Sequence, residues 1–391
     1  MMVENEKPKV AVLKSTYDNI FDNIEQMIDL LDYTPKKKNF FIKPNLVDAY
    51  PPKTGIITSP KVVEAIVKYF KKNFPDSEIV IGDGCALHTK MKYVLNKAGY
   101  RYLSDIYGVT LVDLEDAKRT ELEWKHGSLK IPEYINTHEY INVAKLKTHS
   151  QTSVTLSIKN QKGLLSAKDK KDFHRKLHLH NSVKLLSELV KPDLVIIDGI
   201  MSLEGRGPIQ HGTPKKNTNL IIGSKNMYAA DNAAAKIMGF DVEEIEHIPA
   251  FADYIEVGEK VSECIIPFKR SDLSPWIEKN IYFHFDETMC SICGIEIENA
   301  LKPSFSNLPF VFKSILAGGL SGRKDLITGN LDKLPEGAEN TICFGDCALE
   351  LSEKHNLPFI KGCPPKIEEI KEQYLEFCKN VKKVPAQSDS S

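Results

Sequence analysis

Short apolar runs alternate with stretches of helical periodicity over the first 260 residues. Lys9 to Leu13 (KVAVL) reads as a strand, and Ser15 as the cap of a helix bearing Ile20, Ile24, Met27, Ile28 and Leu31. Asn39 to Ile42 is the second strand. Ser59-Pro60 forms an N-cap and first-turn pair, with Val62, Val63, Ile66, Val67 and Phe70 on one face behind it. Ile79–Ile81, Val109–Val112, Tyr140–Ala144, Leu194–Ile197 and Leu220–Ile222 are further buried-type strands. A long polar helix over about 170–189 separates the Tyr140 and Leu194 strands, and a small-residue helix follows Ala230 and stops at Gly239. This alternation predicts an α/β fold with a mostly parallel, doubly wound sheet. After about Pro267 the pattern changes. Asn280 to Phe285 reads as a strand, then cysteines and glycine turns dominate up to Cys363, and a helix over about Lys366–Phe377 closes the chain. The expected division is residues 1–265 as the sheet domain, 266–382 as a smaller α/β metal-binding domain, and 383–391 as a disordered tail.

In open parallel sheets, ligands bind beyond the carboxyl ends of the strands. Unusual polar residues stand there: Lys43-Pro44-Asn45, Gly82-Asp83-Gly84-Cys85, Lys145-Leu146-Lys147-Thr148-His149, and Asp198-Gly199 with Glu204 following. Lys43, Lys145, Lys147 and Lys159 could clamp a small anion such as a phosphate or carboxylate. Asp83, Asp198, Glu204 and Asp231 could hold a divalent cation, or act as acid–base groups. Each also has a plainer role, as a helix cap or a solvated strand position. His149 titrates near neutrality and could move a proton or bind metal. His174 and His178 share a helix face, but beside Lys170, Lys171, Arg175 and Lys176 a solvated basic face is the plainer reading; His178 is kept as a candidate. No GxxxxGK[ST] occurs, and no GxGxxG opens the first helix, so neither nucleotide fingerprint is present.

The chain has 391 residues, with 52 Lys+Arg against 53 Asp+Glu. This balance argues against a nucleic-acid partner or an anionic membrane surface. No signal peptide or spanning segment is read, so the expectation is a cytoplasmic protein. There, clustered cysteines are more often metal ligands than disulfides. Five of the eight fall late: Cys290 and Cys293 as CxxC, Cys343 and Cys347 as CxxxC, and Cys363 in Gly-Cys-Pro-Pro. Four thiolates suit an iron–sulfur cluster or tetrahedral zinc, and the Cys-Pro step favours iron–sulfur. Cys290, Cys293, Cys347 and Cys363 are the expected ligands. Cys343, inside an apolar strand, is the reserve, and Cys85, Cys264 and Cys378 are expected to be structural.

The segments IKPNLV (42–47), GDG (82–84), AKLKTHSQTSVTLSIKNQKGLL (144–165), DLVIIDGI (193–200), EGRGP (204–208) and ADNAAAKIMGF (230–240) resemble the DUF362 family of iron–sulfur-associated proteins. The resemblance covers roughly residues 9–255. It implies polar site positions at Lys43, Asn45, Asp83, Lys145, Lys147, His149, Lys159, Asn160, Asp198, Glu204 and Asp231. Many relatives carry a CxxCxxCxxxCP insert; this chain has CxxC, GDC and GCPP spread along its last quarter instead. The leading expectation is a [4Fe–4S] protein acting as a redox or Lewis-acid enzyme. Lys145, Lys147, His149 and Asp198 would do the chemistry, while Lys43, Asn45, Asp83, Lys159, Asn160, Glu204 and Asp231 would hold a small anionic substrate. A redox partner protein would serve it. A cluster or metal carrier without turnover, and a zinc-stapled phosphoryl- or carboxyl-group enzyme, are the alternatives.

Overall fold

A computed structural model describes residues 7–86, 89–175, 177, 179–209, 212–251, 253–271, 276–278, 280–286, 289, 291–301, 307–317 and 322–381. The tail expected over 383–391, His178 and Cys290 lie outside the described residues. The chain forms two compact units, Met1–Asp272 and Leu273–Ser391.

The first unit contains β1 (Lys9–Lys14), β2 (Phe40–Pro44), β3 (Ile79–Asp83), β4 (Thr110–Asp113), β5 (Arg119–Trp124), β6 (Gly127–Pro132) and β7 (Glu139–His149). It continues with β8 (Ser153–Thr155), β9 (Leu194–Gly205), β10 (Gly212–Lys215), β11 (Leu220–Ser224) and β12 (Ile255–Gly258). The main sheet runs β12-β1-β11-β9-β7-β2-β3-β4, with β10 beside β9 and β8 beside β7. The run from β9 through β7, β2 and β3 to β4 is parallel throughout. The exceptions are β11, antiparallel to both β1 and β9, and β8 and β10, antiparallel to β7 and β9. Strands β5 and β6 form a separate hairpin.

Both faces of the sheet are covered. Phe40 stacks on Phe70 of the Pro60–Asn73 helix, with centroids 3.9 Å apart. Its neighbour Phe41 points the other way, as strand alternation requires, and packs in a cluster with Val183 and Leu186 of the Leu179–Leu189 helix. Ala229, Ala230, Ala233 and Ala234 of the Met227–Ile237 helix pack with Ala144, Leu146, Val195 and Ile197. Small side chains let that helix lie close to the sheet, where larger ones would overpack it.

Several local expectations shift. Ser59 does cap its helix, accepting from Lys61 N, and Pro60 opens it. Ser15 does not cap: the first helix begins at Ile20, and Ser15 Oγ meets Asn19 Oδ1 instead. The long polar helix is two, Ala167–Arg175 and Leu179–Leu189. The alanine-rich helix starts earlier, at Met227, because Asn226 accepts from the Tyr228 and Ala229 amides. The largest change concerns β7 and β9. Both run on through the polar residues taken for loop, so Lys145, Lys147, His149 and Asp198 are strand residues.

The second unit holds β13 (Trp276–Glu278), β14 (Ile281–His284), β15 (Lys324–Ile327), β16 (Thr341–Phe344) and β17 (Phe359–Ile360), in that order across one sheet. β14 to β17 are parallel, and β13 pairs antiparallel at the edge. The closing helix spans Ile367–Lys379 and buries Ile370, Tyr374 and Phe377. Three described helices went unread in the sequence, Ser291–Leu301, Leu308–Leu316 and Leu349–His355.

Candidate functional site

The polar residues at the carboxyl edge of β2, β3, β7 and β9 meet. Register does this first: Lys43 stands beside Asn142, and Lys145 beside Asp198. A bulge between Lys145 and Lys147 shifts the β7–β9 pairing by several residues and re-aims the end of β7. Lys43, Lys145 and Lys147 are fully buried, and Lys159, Asn160, Asp83 and His149 nearly so.

Burying an ammonium is costly unless partners replace its water. Each lysine solves this differently. Lys43 Nζ lies 2.7 Å from Asp83 Oδ1 and donates to Asn160 Oδ1 at 3.1 Å. Asp83 also accepts from the Leu46 and Gly84 amides, at 2.7 and 2.9 Å. Lys145 Nζ lies 2.8 Å from Asp198 Oδ2, which takes the Ser59 amide at 2.9 Å at the mouth of the Pro60–Asn73 helix. Burial pushes both ammonium groups below the ordinary lysine value, against the pull of their carboxylates.

Lys147 is held by neutral oxygens alone: Asn45 Oδ1 at 3.0 Å, Ile56 O at 2.6 Å and Pro208 O at 3.2 Å. Three donors meet three acceptors, and among the described residues no carboxylate touches this Nζ; Asp83 acts on it only as a more distant charge. Burial, with Lys145 nearby, brings the Lys147 ammonium down to about 7. Lys159 Nζ meets His149 Nε2 at 3.1 Å, and burial drives its pKa well below the ordinary value.

Asn160 ties these groups together. Its Oδ1 accepts from Lys43 and Asn45, and its Nδ2 donates to Asn142 Oδ1 at 2.7 Å. It sits with Lys159 on a helical turn, Ser157–Asn160. Asp231 holds the start of that turn, accepting from Ser157 N and Oγ at 2.8 and 2.6 Å and from Ile158 N at 2.8 Å. Asp231 is therefore a positioning residue, and burial pushes its carboxyl up to about 7 against those three donors. Glu204 does not join the lysines either. Its Oε2 takes Lys215 Nζ at 2.8 Å and Lys269 N at 3.0 Å.

Some participants were not legible as such. Gly163 lies directly over the Lys43–Asp83 pair: a Cβ there would stand 2.0 Å from Asp83 Oδ1 and 2.7 Å from Lys43 Nζ. His180 and His247 form a buried pair, Nδ1 to Nδ1 at 3.2 Å, and His180 Nε2 donates to Gln151 O at 3.0 Å. Nothing in the spacing of His247 signals this, because it arrives from a distant loop.

In the second unit, Cys347 and Cys363 follow β16 and β17, and Cys293 sits in the first turn of the Ser291–Leu301 helix. Gly345 marks where they approach. Its φ is 85°, and a Cβ there would lie 3.4 Å from Cys293 Sγ, 3.5 Å from Cys347 Sγ and 3.6 Å from Gly362 O. The two loops are locked together: Asp346 N donates to Gly362 O at 2.9 Å, and Gly362 N to Asp346 Oδ1 at 2.8 Å. Thr328 Oγ1 stands 3.8 Å from Cys347 Sγ. Cys343 is fully buried in a cluster with Ile327, Ala348 and Leu351, and burial pushes its thiol up to about 12. Among the described residues, no three His, Cys, Asp or Glu side chains form a group that could hold a metal ion. Cys290 is not one of those residues.

Residues 41–236 match the family described as a domain of unknown function, DUF362. The chain belongs to the DUF362 family. The match spans the whole lysine-bearing edge, from Lys43 to Asp231, and stops before the late cysteines from Cys290 onward. The chain is also similar to a thylakoid-associated protein of Synechocystis, 29% identical over 206 residues. That alignment covers 51% of this chain and 63% of the relative's length. Among the described residues of this DUF362 protein, no helix is long and apolar enough to cross a membrane.

Proposed function

We propose that this DUF362 protein binds an iron–sulfur cluster through Cys290, Cys293, Cys347 and Cys363, and takes a small anionic substrate at the lysine-lined edge of its first unit. The observation behind the cluster is Gly345. Two cysteine sulfurs and the carbonyl preceding Cys363 face one point that carries no side chain. The backbone there has a φ of 85°, which favours glycine, and the turn it makes leaves both sulfurs facing the same point. A cluster bound there would supply one-electron chemistry or an open iron site for a substrate oxygen. The four thiolates would hold it, and the Thr328 hydroxyl would hydrogen-bond to the sulfur of Cys347.

The anion reading rests on an excess of buried basic groups. Asp83 and Asp198 balance Lys43 and Lys145, while the Lys147 ammonium touches neutral oxygens. An arriving carboxylate or phosphate would complete the charge balance. Each acid considered for a divalent cation already accepts from a protein donor, so the cluster is the metal centre we put forward. Cys85, Cys264, Cys343 and Cys378 are free thiols, which fits a reducing compartment such as the cytoplasm.

A carrier role is the second reading. Cys347 and Cys363 are only partly buried, so a cluster held by them would be open to transfer. Anaerobic purification with iron and sulfide analysis, visible absorption and EPR tests the main proposal. Iron and sulfide near four per chain, with a broad band near the visible edge, is the expected result. A colourless protein with stoichiometric zinc overturns it. Calorimetric titration with oxalate tests the anion site, and no heat of binding, in the wild type and in Lys147→Met alike, counts against it.

A further inference from the structure

The hydrogen bonds around His149 fix its protons. Its Nδ1 accepts from the Gln151 amide at 3.0 Å and from the Thr152 amide at 3.3 Å. A neutral imidazole has one donor nitrogen and one acceptor, and a protonated ring has two donors. Two amides aimed at Nδ1 therefore exclude the protonated ring and place the hydrogen on Nε2. That hydrogen faces Lys159 Nζ at 3.1 Å. An ammonium would meet it donor to donor; only an amine lone pair can accept it. The loop that aims those amides is itself held in place, because His180 Nε2 donates to Gln151 O. Asp231 anchors the turn that carries Lys159.

We propose that Lys159 is a neutral, nucleophilic amine, and that the anionic substrate of this edge bears an aldehyde or ketone group with which Lys159 forms an imine. This rests on the reading of the edge as an anion site and names its substrate class. The lone pair of Nζ adds to the carbonyl carbon, and one amine proton passes to the oxygen to give a carbinolamine. The C–O bond then breaks, and the hydroxyl leaves as water with the remaining amine proton, giving C=N. No electrons are gained or lost. His149 Nε2–H hydrogen-bonds to the carbonyl oxygen as negative charge develops on it, and the buried ammonium of Lys147 favours the carboxylate nearby.

The surroundings keep the amine neutral. Lys147 and Lys162 both act on Lys159 as like charges, and burial disfavours its charged form. An ordinary lysine is neutral at pH 7 in only about one molecule in 3,000, since each pKa unit is tenfold. A neutral Lys159 starts with that advantage, so a hundredfold slowing by burial would still leave it well ahead of a surface lysine.

The test is trace acetylation with acetic anhydride at pH 7, read lysine by lysine by peptide mass spectrometry, followed by glyoxylate with cyanoborohydride on the same full-length protein. Lys159 should acetylate at least about tenfold faster than the exposed Lys97, and should carry the reduced glyoxylate adduct. His149→Gln should cut Lys159 acetylation by about tenfold or more, because the glutamine carbonyl would accept from an ammonium. A purely structural lysine would not respond in that way. Lys159 reacting no faster than Lys97 in a folded protein overturns the proposal. Oxalate has no comparable electrophilic carbonyl, and separates the two readings. Oxalate binding without a glyoxylate adduct overturns the imine and leaves the anion site. An adduct without oxalate binding supports the amine and overturns the anion site.

Discussion

Replacing Asp198 with Asn removes one charge from a pair with no solvent around it. Lys145 and Asp198 are both fully buried, Nζ to Oδ2 at 2.8 Å. The asparagine could keep a carbonyl toward the Ser59 amide, so the backbone contact at the helix mouth survives. What is lost is the counter-charge. Breaking a buried pair from one side costs about 3–5 kcal/mol, because the remaining ion stays out of water. The chain has one escape: Lys145 can lose its proton. From the ordinary value of 10.5, deprotonation at pH 7 costs at most about 4.8 kcal/mol, and burial has already reduced that. The loss in Asp198→Asn is therefore capped near the same figure. Adding Lys145→Met removes the stranded charge, so the double variant should be more stable than Asp198→Asn alone, with a coupling of about 2 kcal/mol or more. Urea unfolding followed at Trp124, which stacks on Phe173 in the first unit, measures all four corners of the cycle. A loss below about 1 kcal/mol for Asp198→Asn, or strictly additive single variants, would refute the reasoning.

Four further outcomes follow from the same structure. Gly163→Ala drives a methyl into Asp83 and Lys43, and should cost about 3 kcal/mol or more in urea unfolding together with loss of oxalate binding. Lys147 is charged only below about 7 in the fold but up to 10.5 when unfolded. The unfolded state therefore holds the extra proton between those values, and stability should rise from pH 7 toward 10.5 by up to roughly 1.4 kcal/mol per unit; Lys147→Met should flatten that slope. Cys347→Ala should abolish most of the bound iron, whereas Cys343→Ala should keep it and cost only about 1 kcal/mol as a small cavity. Thr328→Val removes the hydroxyl beside Cys347 Sγ, and the midpoint potential of the cluster should fall, as read by EPR-monitored titration, since hydrogen bonds to sulfur stabilise the reduced state.

The sheet was largely legible because apolar runs and helical spacing follow from burial on two faces. The gathering of lysines and carboxylates at one sheet edge was legible too, since charged residues do not sit at the ends of buried runs without cause. The limits of β7 and β9 were hidden for the same reason. A lysine is read as loop, yet Lys145 and Lys147 stay in the strand because Asp198, Asn45 and two carbonyls replace their water. Ser15 illustrates the reverse case: a plausible cap by sequence, it meets Asn19 Oδ1 and the helix starts later.

The amino-acid sequence by itself determined the α/β class, the lysine–carboxylate edge, the cysteine set and the family. Those depend on residue type and on local period, which are written in order along the chain. Only the tertiary structure decided which charge answers which: Lys43 to Asp83, Lys145 to Asp198, and Lys147 to neutral oxygens. It also showed Asp231 anchoring a helical turn, and placed Lys159 against Nε2 of His149. The hydrogen bonds of this edge join residues as distant in sequence as Lys43 and Asn160, 117 positions apart. They are set by strand register and by burial, which no local pattern records.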